Sequence, residues 1–187
     1  MFSSLWGGDL IAFIKQANAY GFFDKVQFIS TGGGDLDILE PLGAEMPNGI
    51  LATFAYAFDY LPVKKEQNEK FIEEFKKRAG YLPKSGDIFG YVSTYVMADA
   101  IKKAGSTDSA KLGAALRGSQ YETLLGDITV REFDGQGTFS YNIGFTYSDP
   151  KYPFKRLKDV TRANGADVLP SKEEVEKIRT DAKKKGG

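Results

Sequence analysis

The stretch VQFISTGGGD, residues 26–35, sets a short run rich in β-formers directly before three consecutive glycines. Such a run reads as a strand over residues 26–30 that ends in a tight turn. Upstream, Leu10, Phe13, Ile14 and Ala17 recur at i, i+3, i+4 and i+7. That stripe predicts a half-buried helix over residues 9–19, with Asp9 as its N-cap and Gly21 as its stop. Downstream, GILATFAYA at residues 49–57 reads as a second strand. Together these segments form βα units of a parallel sheet, so the expected class is α/β with a parallel sheet. Only residues 1–5 precede Trp6 to supply a first strand, and the sheet is expected to begin in mid-unit.

The glycine turn invites a nucleotide reading that the spacing rejects. After Gly32 and Gly34 the dinucleotide fingerprint requires glycine at position 37, which is Asp37, and neither glycine turn ends in the Gly-Lys-Ser/Thr of a P-loop. Small residues at the carboxyl edge of a parallel sheet leave backbone N–H groups facing outward, where ligands bind; the same glycines also serve a plain tight βα turn. Trp6, before Gly7 and Gly8 at a strand's carboxyl end, stands either at such a crevice or in the core. Asp35 and Asp37 either answer a ligand ammonium or cap a helix.

Further along, DYLPV at 59–63 interrupts the pattern as a linker or hinge. Phe71, Ile72 and Phe75 predict a helix over residues 66–78, ending at Gly80. A longer helix over 85–104 places Ile88, Phe89, Val92, Tyr95, Val96 and Ala100 inward, and another follows over 109–117. Residues 127–133 and 138–147 alternate around DGQG and predict a hairpin. Residues 148–165 read as turn-rich, and Ser171 with Glu174 forms a capping box that starts a last helix.

Composition narrows the function. The 187 residues are 42% hydrophobic and 13% aromatic, enough for a real core. Twenty-five basic residues balance twenty-five acidic ones, so no field draws nucleic acid or an anionic membrane. The absence of cysteine removes disulfides and thiolate chemistry and fits a reducing compartment or a bacterial periplasm. The absence of histidine removes the commonest general base and speaks against a hydrolase. The longest apolar run, residues 50–58, is far short of the roughly 20 residues of a membrane span. No basic segment followed by an apolar one marks a signal peptide within this sequence. Asp59, Asp87, Asp127 and Asp134 show no metal-ligand spacing, and neither metal nor cofactor is expected.

The segments SSLWGGDLIAFIKQANAYGF, VQFISTGGG, PNGILATFAYAFDYLP, GYLPKSGDIFGYVSTYVMADAIKKAGSTD and GDITVREFDGQG, in this order, resemble one family. It is the branched-chain amino acid (Leu/Ile/Val-binding) group of bacterial ABC-transporter substrate-binding proteins. The resemblance is to the carboxyl-terminal half and runs from residue 1 to about 147. It implies a type I periplasmic binding protein fold: two Rossmann-like lobes, joined by three hinge crossings, that close on a small ligand. Residues 1–58 then correspond to part of the second lobe and 59–63 to a hinge crossing. Residues 64–133 correspond to helices returning to the first lobe, 134–147 to a crossing and a strand back to the second, and 148–187 to a tail and helix.

The implied function is a non-enzymatic, periplasmic or otherwise extracytoplasmic receptor that hands a small organic solute to the membrane permease of an ABC importer. A ligand-sensing domain of a regulator shares the fold and is the alternative. An enzyme built on a Glu/Asp pair is the third, although no motif forces two acids together. Trp6 and Gly7 correspond to a loop in which an aromatic packs on the ligand. Thr31 and Gly32 lie in the loop where amino-acid binders place an acid against the ligand's ammonium, and Gly32 occupies that place. If Asp35 does not substitute, the ligand is an aromatic or aliphatic acid or an amide; if it does, an amino acid. Phe89 aligns near a ligand contact of the first lobe and is otherwise core. The chain is half the family's length, which implies a fragment that needs its missing half or a swapped homo-oligomer, and one that is not a well-behaved monomer.

Overall fold

The computed structural model describes residues 1–60 and 64–185. Most of the hinge crossing expected at 59–63 therefore lies outside the described residues. In chain order the elements are β1 (Phe2–Ser3), α1 (Gly7–Ala19), β2 (Ile29–Ser30), α2 (Leu36–Leu42), β3 (Leu51–Phe54), α3 (Lys65–Ala79) and α4 (Ser85–Ala104). They continue as α5 (Ser109–Leu116), β4 (Gln120–Thr123), β5 (Gly126–Thr129), β6 (Tyr141–Tyr147), β7 (Arg156–Ala163), α6 (Gly165–Val168) and α7 (Lys172–Lys185). The chain divides into two compact units, Met1–Tyr91 with Tyr141–Ala163, and Val92–Ser140 with Asn164–Gly187. The division falls within α4.

The first unit is built on a five-stranded sheet in the order β1-β2-β3-β6-β7. β1, β2 and β3 run parallel, with Ser3 opposite Ser30 and Ser30 opposite Ala52. β6 joins β3 antiparallel, Leu51 facing Phe145, and β7 joins β6 antiparallel. α1 buries Leu10 and Ile14 completely against Phe28, Ile38, Leu39, Leu42 and Ala52. Phe13, Phe22, Phe23 and Phe28 close this core through mostly edge-to-face ring contacts. The expected parallel α/β arrangement is thus present, with an antiparallel extension that the periodicity did not indicate.

Several local expectations change. Asp9 is not the cap of α1; the helix begins two residues earlier, and Asp9 lies in the first turn, where a carboxylate still opposes the helix dipole. The strands expected at 26–30 and 49–57 are two and four residues long, Ile29–Ser30 and Leu51–Phe54. α2 follows the glycine turn as a helix of only seven residues with Pro41 inside it, and Asp35 holds its N-cap position. Residues 156–163, read as turn-rich, form an eight-residue strand. Its charged sequence suits the outer strand of a sheet, which natural proteins keep polar. Opposite Gly144, the β6–β7 register shifts between Ile143 and Phe145 and Asp159 takes a φ of 53°, the signature of a bulge.

In the second unit the expected hairpin around DGQG does not form. β5 pairs instead with β4 through the two-residue turn Leu124–Leu125, and only a single bridge, Val130 to Gly137, spans DGQG. Asp134 closes that turn by accepting from the Arg131 guanidinium and from the Gln136 backbone N–H. Tyr95, expected inward on α4, is exposed, whereas Ile88, Val92 and Ala100 are buried. The capping box of α7 is formed: Ser171 N–H donates to Glu174 Oε2 (2.7 Å) and Glu174 N–H to Ser171 Oγ (3.2 Å). Among the described residues no helix is long and apolar enough to cross a membrane. Nor do they contain a group of three or more acidic side chains arranged to hold a metal ion.

Candidate functional site

β1 and β2 end side by side, and the loops that leave their carboxyl ends bring Trp6, Gly7, Thr31 and Gly32 together. The pairing Ser3–Ser30 sets this up: Thr31 N–H donates to Ser3 carbonyl oxygen (3.1 Å), which ties the second loop to the first. Trp6 then stands in extended backbone as the residue before α1, 52% exposed, with no side chain capping the helix's first amides. Gly7 turns the chain at a φ of +57°, which a side chain would strain.

The six-membered part of the Trp6 indole lies against Gly32. A Cβ at Gly32 would stand 2.0 Å from Trp6 Cζ3 and 2.4 Å from Cε3, and the φ of Gly32 is +75°. No side chain fits at position 32 while Trp6 holds this position. The other glycines of the turn are packed as closely. A Cβ at Gly33 would meet Ser30 Oγ at 2.8 Å, and one at Gly34 would meet Leu157 Cδ1 at 2.8 Å and Thr53 carbonyl oxygen at 3.1 Å. Thr53 anchors the turn from β3: its Oγ1 accepts from Gly32 N–H (2.9 Å) and its carbonyl from Gly34 N–H (3.1 Å).

Asp35 precedes α2 but makes no side-chain cap. Its carboxylate is 4% exposed and accepts from the Ser85 hydroxyl at the start of α4 and from the Ala55 backbone N–H. Burial pushes this carboxyl up to about 6; the two hydrogen bonds pull the other way and the nearby Asp37 adds to the rise. Asp37 itself faces Lys84, whose Nζ lies 3.5 Å from Asp37 Oδ1 and 3.0 Å from Glu40 Oε2. Asp37 and Lys84 line a cavity of about 320 Å³ together with Tyr81, Gly86 and Asp87. Phe89 is half-buried on α4, one turn beyond Ser85.

A family model described as periplasmic binding protein matches residues 1–145. The chain belongs to that family. Among its relatives, the Leu/Ile/Val-binding protein homolog 1 of Brucella suis is 28% identical over 131 residues, which are 68% of this chain and 33% of that protein. An ABC-type branched-chain amino acid transporter protein of Rhodopseudomonas palustris superimposes with a TM-score of 0.64 at 24% identity, over 88% of this chain and 43% of that one. A solute-binding protein from another strain of that species, solved with 3,4-dihydroxybenzoic acid, gives a TM-score of 0.67 at 22% identity, over 88% and 45%. The chain thus spans about a third of the length of the curated relatives it matches, and under half of these structures.

In this periplasmic binding protein, the sequence placed Trp6, Gly7, Thr31 and Gly32 in one neighbourhood, and the structure holds them together. Asp35 is set apart by its burial and its bond to Ser85, and Phe89 shares the helix of that serine. Two residues escaped the sequence reading. Thr53 looked like any β-former in a strand, and Ser85 like any helix start; neither carries a local signal of its partner.

Proposed function

We propose that this chain contributes to an extracytoplasmic solute receptor of an ABC importer, which binds a small organic solute by hinge closure and presents it to a membrane permease. In this reading residues 1–58 belong to the second lobe, 59–63 and 134–147 to hinge crossings, 64–133 to the return through the first lobe and 148–187 to the tail. Trp6, Gly7, Thr31 and Gly32 form the ligand-facing surface, with Asp35 behind it and Phe89 contributing from α4. One observation carries the reading: the only tryptophan of the chain is half exposed on a glycine turn at the carboxyl ends of parallel strands, the place where open α/β sheets hold ligands. Membership of the periplasmic binding protein family supports it. So do relatives whose names record Leu/Ile/Val binding and a bound dihydroxybenzoic acid. No step of this function calls for covalent chemistry, and a chain without histidine or cysteine suits it.

The test is a melting panel of the full-length protein against branched-chain amino acids, aromatic and aliphatic acids and small amides. A solute at a hundredfold excess over its dissociation constant stabilises the folded state by about 2.7 kcal/mol, a rise of several degrees. A panel in which nothing moves the transition refutes the proposal.

A further inference from the structure

Resting on that reading, we infer that Lys84 is a positioning residue: its ammonium latches α2 to the residues that open α4, across the crossing read at 59–63, and so sets how readily the receptor closes. α2 prepares a place for one cation, since Asp37 and Glu40 are three residues apart and share a helix face. Lys84 Nζ lies 3.5 Å from Asp37 Oδ1 and 3.0 Å from Glu40 Oε2. One residue on, Ser85 donates to the buried Asp35. Two adjacent residues thus meet every acid between positions 35 and 40.

Local structure aims Lys84 at these partners. Its backbone N–H donates to Asp87 Oδ2 (3.0 Å), its carbonyl accepts from Ile88 N–H (3.2 Å), and the Tyr81 hydroxyl fixes Asp87 by donating to Oδ1 (3.2 Å). Residues 64–91 fall in the same compact unit as the sheet although they follow the crossing. A second tie contributes to this, and it differs in kind. Asn68 of α3, 4% exposed, accepts from the Tyr56 hydroxyl (2.9 Å) and donates to the Phe58 carbonyl (3.2 Å). These buried bonds flank the crossing itself, move least when the chain swings there and are costly to leave unmade. They make a pivot. At the latch the ionic side chains are 25% to 40% exposed, so water replaces each partner at little cost. Asp37 there faces Tyr81, Lys84, Gly86 and Asp87 across a cavity of about 320 Å³, lined almost wholly by polar side chains. Two such surfaces part without exposing an apolar core.

The test uses the full-length protein on a cysteine-free background, spin-labelled through Gln16→Cys on α1 and Lys77→Cys on α3, both exposed positions. Pulsed electron paramagnetic resonance reads the label separation with no solute present. We expect two separations, whose closed-to-open ratio falls by about fivefold in Lys84→Met and in Glu40→Gln, the scale of a partly exposed ion pair. Lys84→Arg, which keeps the charge, should stay within about twofold of the native ratio. Raising salt to about 0.5 M should lower the native ratio and leave that of Lys84→Met unmoved.

A ratio that Lys84→Met leaves unchanged overturns the inference, even if its urea midpoint falls, while the two separations keep the receptor reading standing. So does a loss in Lys84→Arg equal to that in Lys84→Met, or a native ratio indifferent to salt. One narrow separation in every variant and with every solute of the melting panel removes hinge closure, and the inference with it.

Discussion

Asp35 couples the folded state to pH. Its carboxyl rises from an ordinary 3.8 to about 6, so the folded chain holds this proton more tightly than the unfolded chain does. The stabilisation from that proton is complete below pH 3.8, declines as pH rises through the interval and is gone above about 6. With no histidine in the chain, few other side chains confuse the reading near pH 6. Asp35→Asn should abolish this slope: urea midpoints at pH 4.5 and 7.5 should converge relative to the native chain by the equivalent of about 2 kcal/mol. The glycines give a second contrast. Gly34→Ala pushes a methyl into Leu157, Thr53 and Phe54 and should cost about 1–3 kcal/mol, whereas a methyl at Gly8, with nothing within 4 Å, should add about 0.5–1 kcal/mol through helix propensity. Midpoints moving in opposite directions in one urea series check both.

At the scale of elements, β7 is secured at its first residue. The guanidinium of Arg156 pairs with Asp59 and lies 4.8 Å from the ring centre of Phe58 and 5.3 Å from that of Tyr152. An arginine fork meets both a carboxylate and ring faces, which the ammonium of lysine does poorly. Its side chain is only 6% exposed, while Asp59 remains a third open to solvent, so water softens the loss of the pair. Arg156→Lys and Arg156→Met should each lower stability by about 1–2 kcal/mol, measured by equilibrium denaturation. Equal stability of the native chain and Arg156→Lys would show that the stacked geometry contributes nothing.

Across the whole molecule, stability follows the cores of the two units taken separately. In the first, eleven buried residues form a continuous cluster that runs from Leu10 to Phe154. In the second, burial is carried by scattered positions such as Ala100, Ala115, Leu124 and Ile128. Amide exchange read by mass spectrometry should therefore be slowest in α1 and β3 and faster in α5 and the β4–β5 hairpin. The reverse order would place the stable nucleus in the second unit. The same difference bears on legibility. The parallel part of the sheet, the stripe of α1, the bounds of α4 and the cap of α7 were readable because each expresses a rule local in sequence: a period, a glycine stop, a box of two residues three apart. Trp6, Gly7, Thr31 and Gly32 were readable as one neighbourhood because both turns follow strands of the same parallel sheet.

The sequence by itself determined an α/β chain with a glycine turn at a strand's carboxyl end and a lone tryptophan before a helix. Local propensity and periodicity suffice for that. The tertiary structure alone decided that β6 pairs with β3 and β7 and not with β5, that residues 156–163 complete the sheet, and that Asp35 is buried on Ser85. It also decided that Trp6 fills the space beside Gly32. Apart from the β6–β7 pairing, whose partners lie 9 to 22 positions apart, these outcomes join residues 26 to 94 positions apart. A backbone ladder accepts any partner of suitable register, and the burial of a carboxyl or an indole is a property of what folds around it.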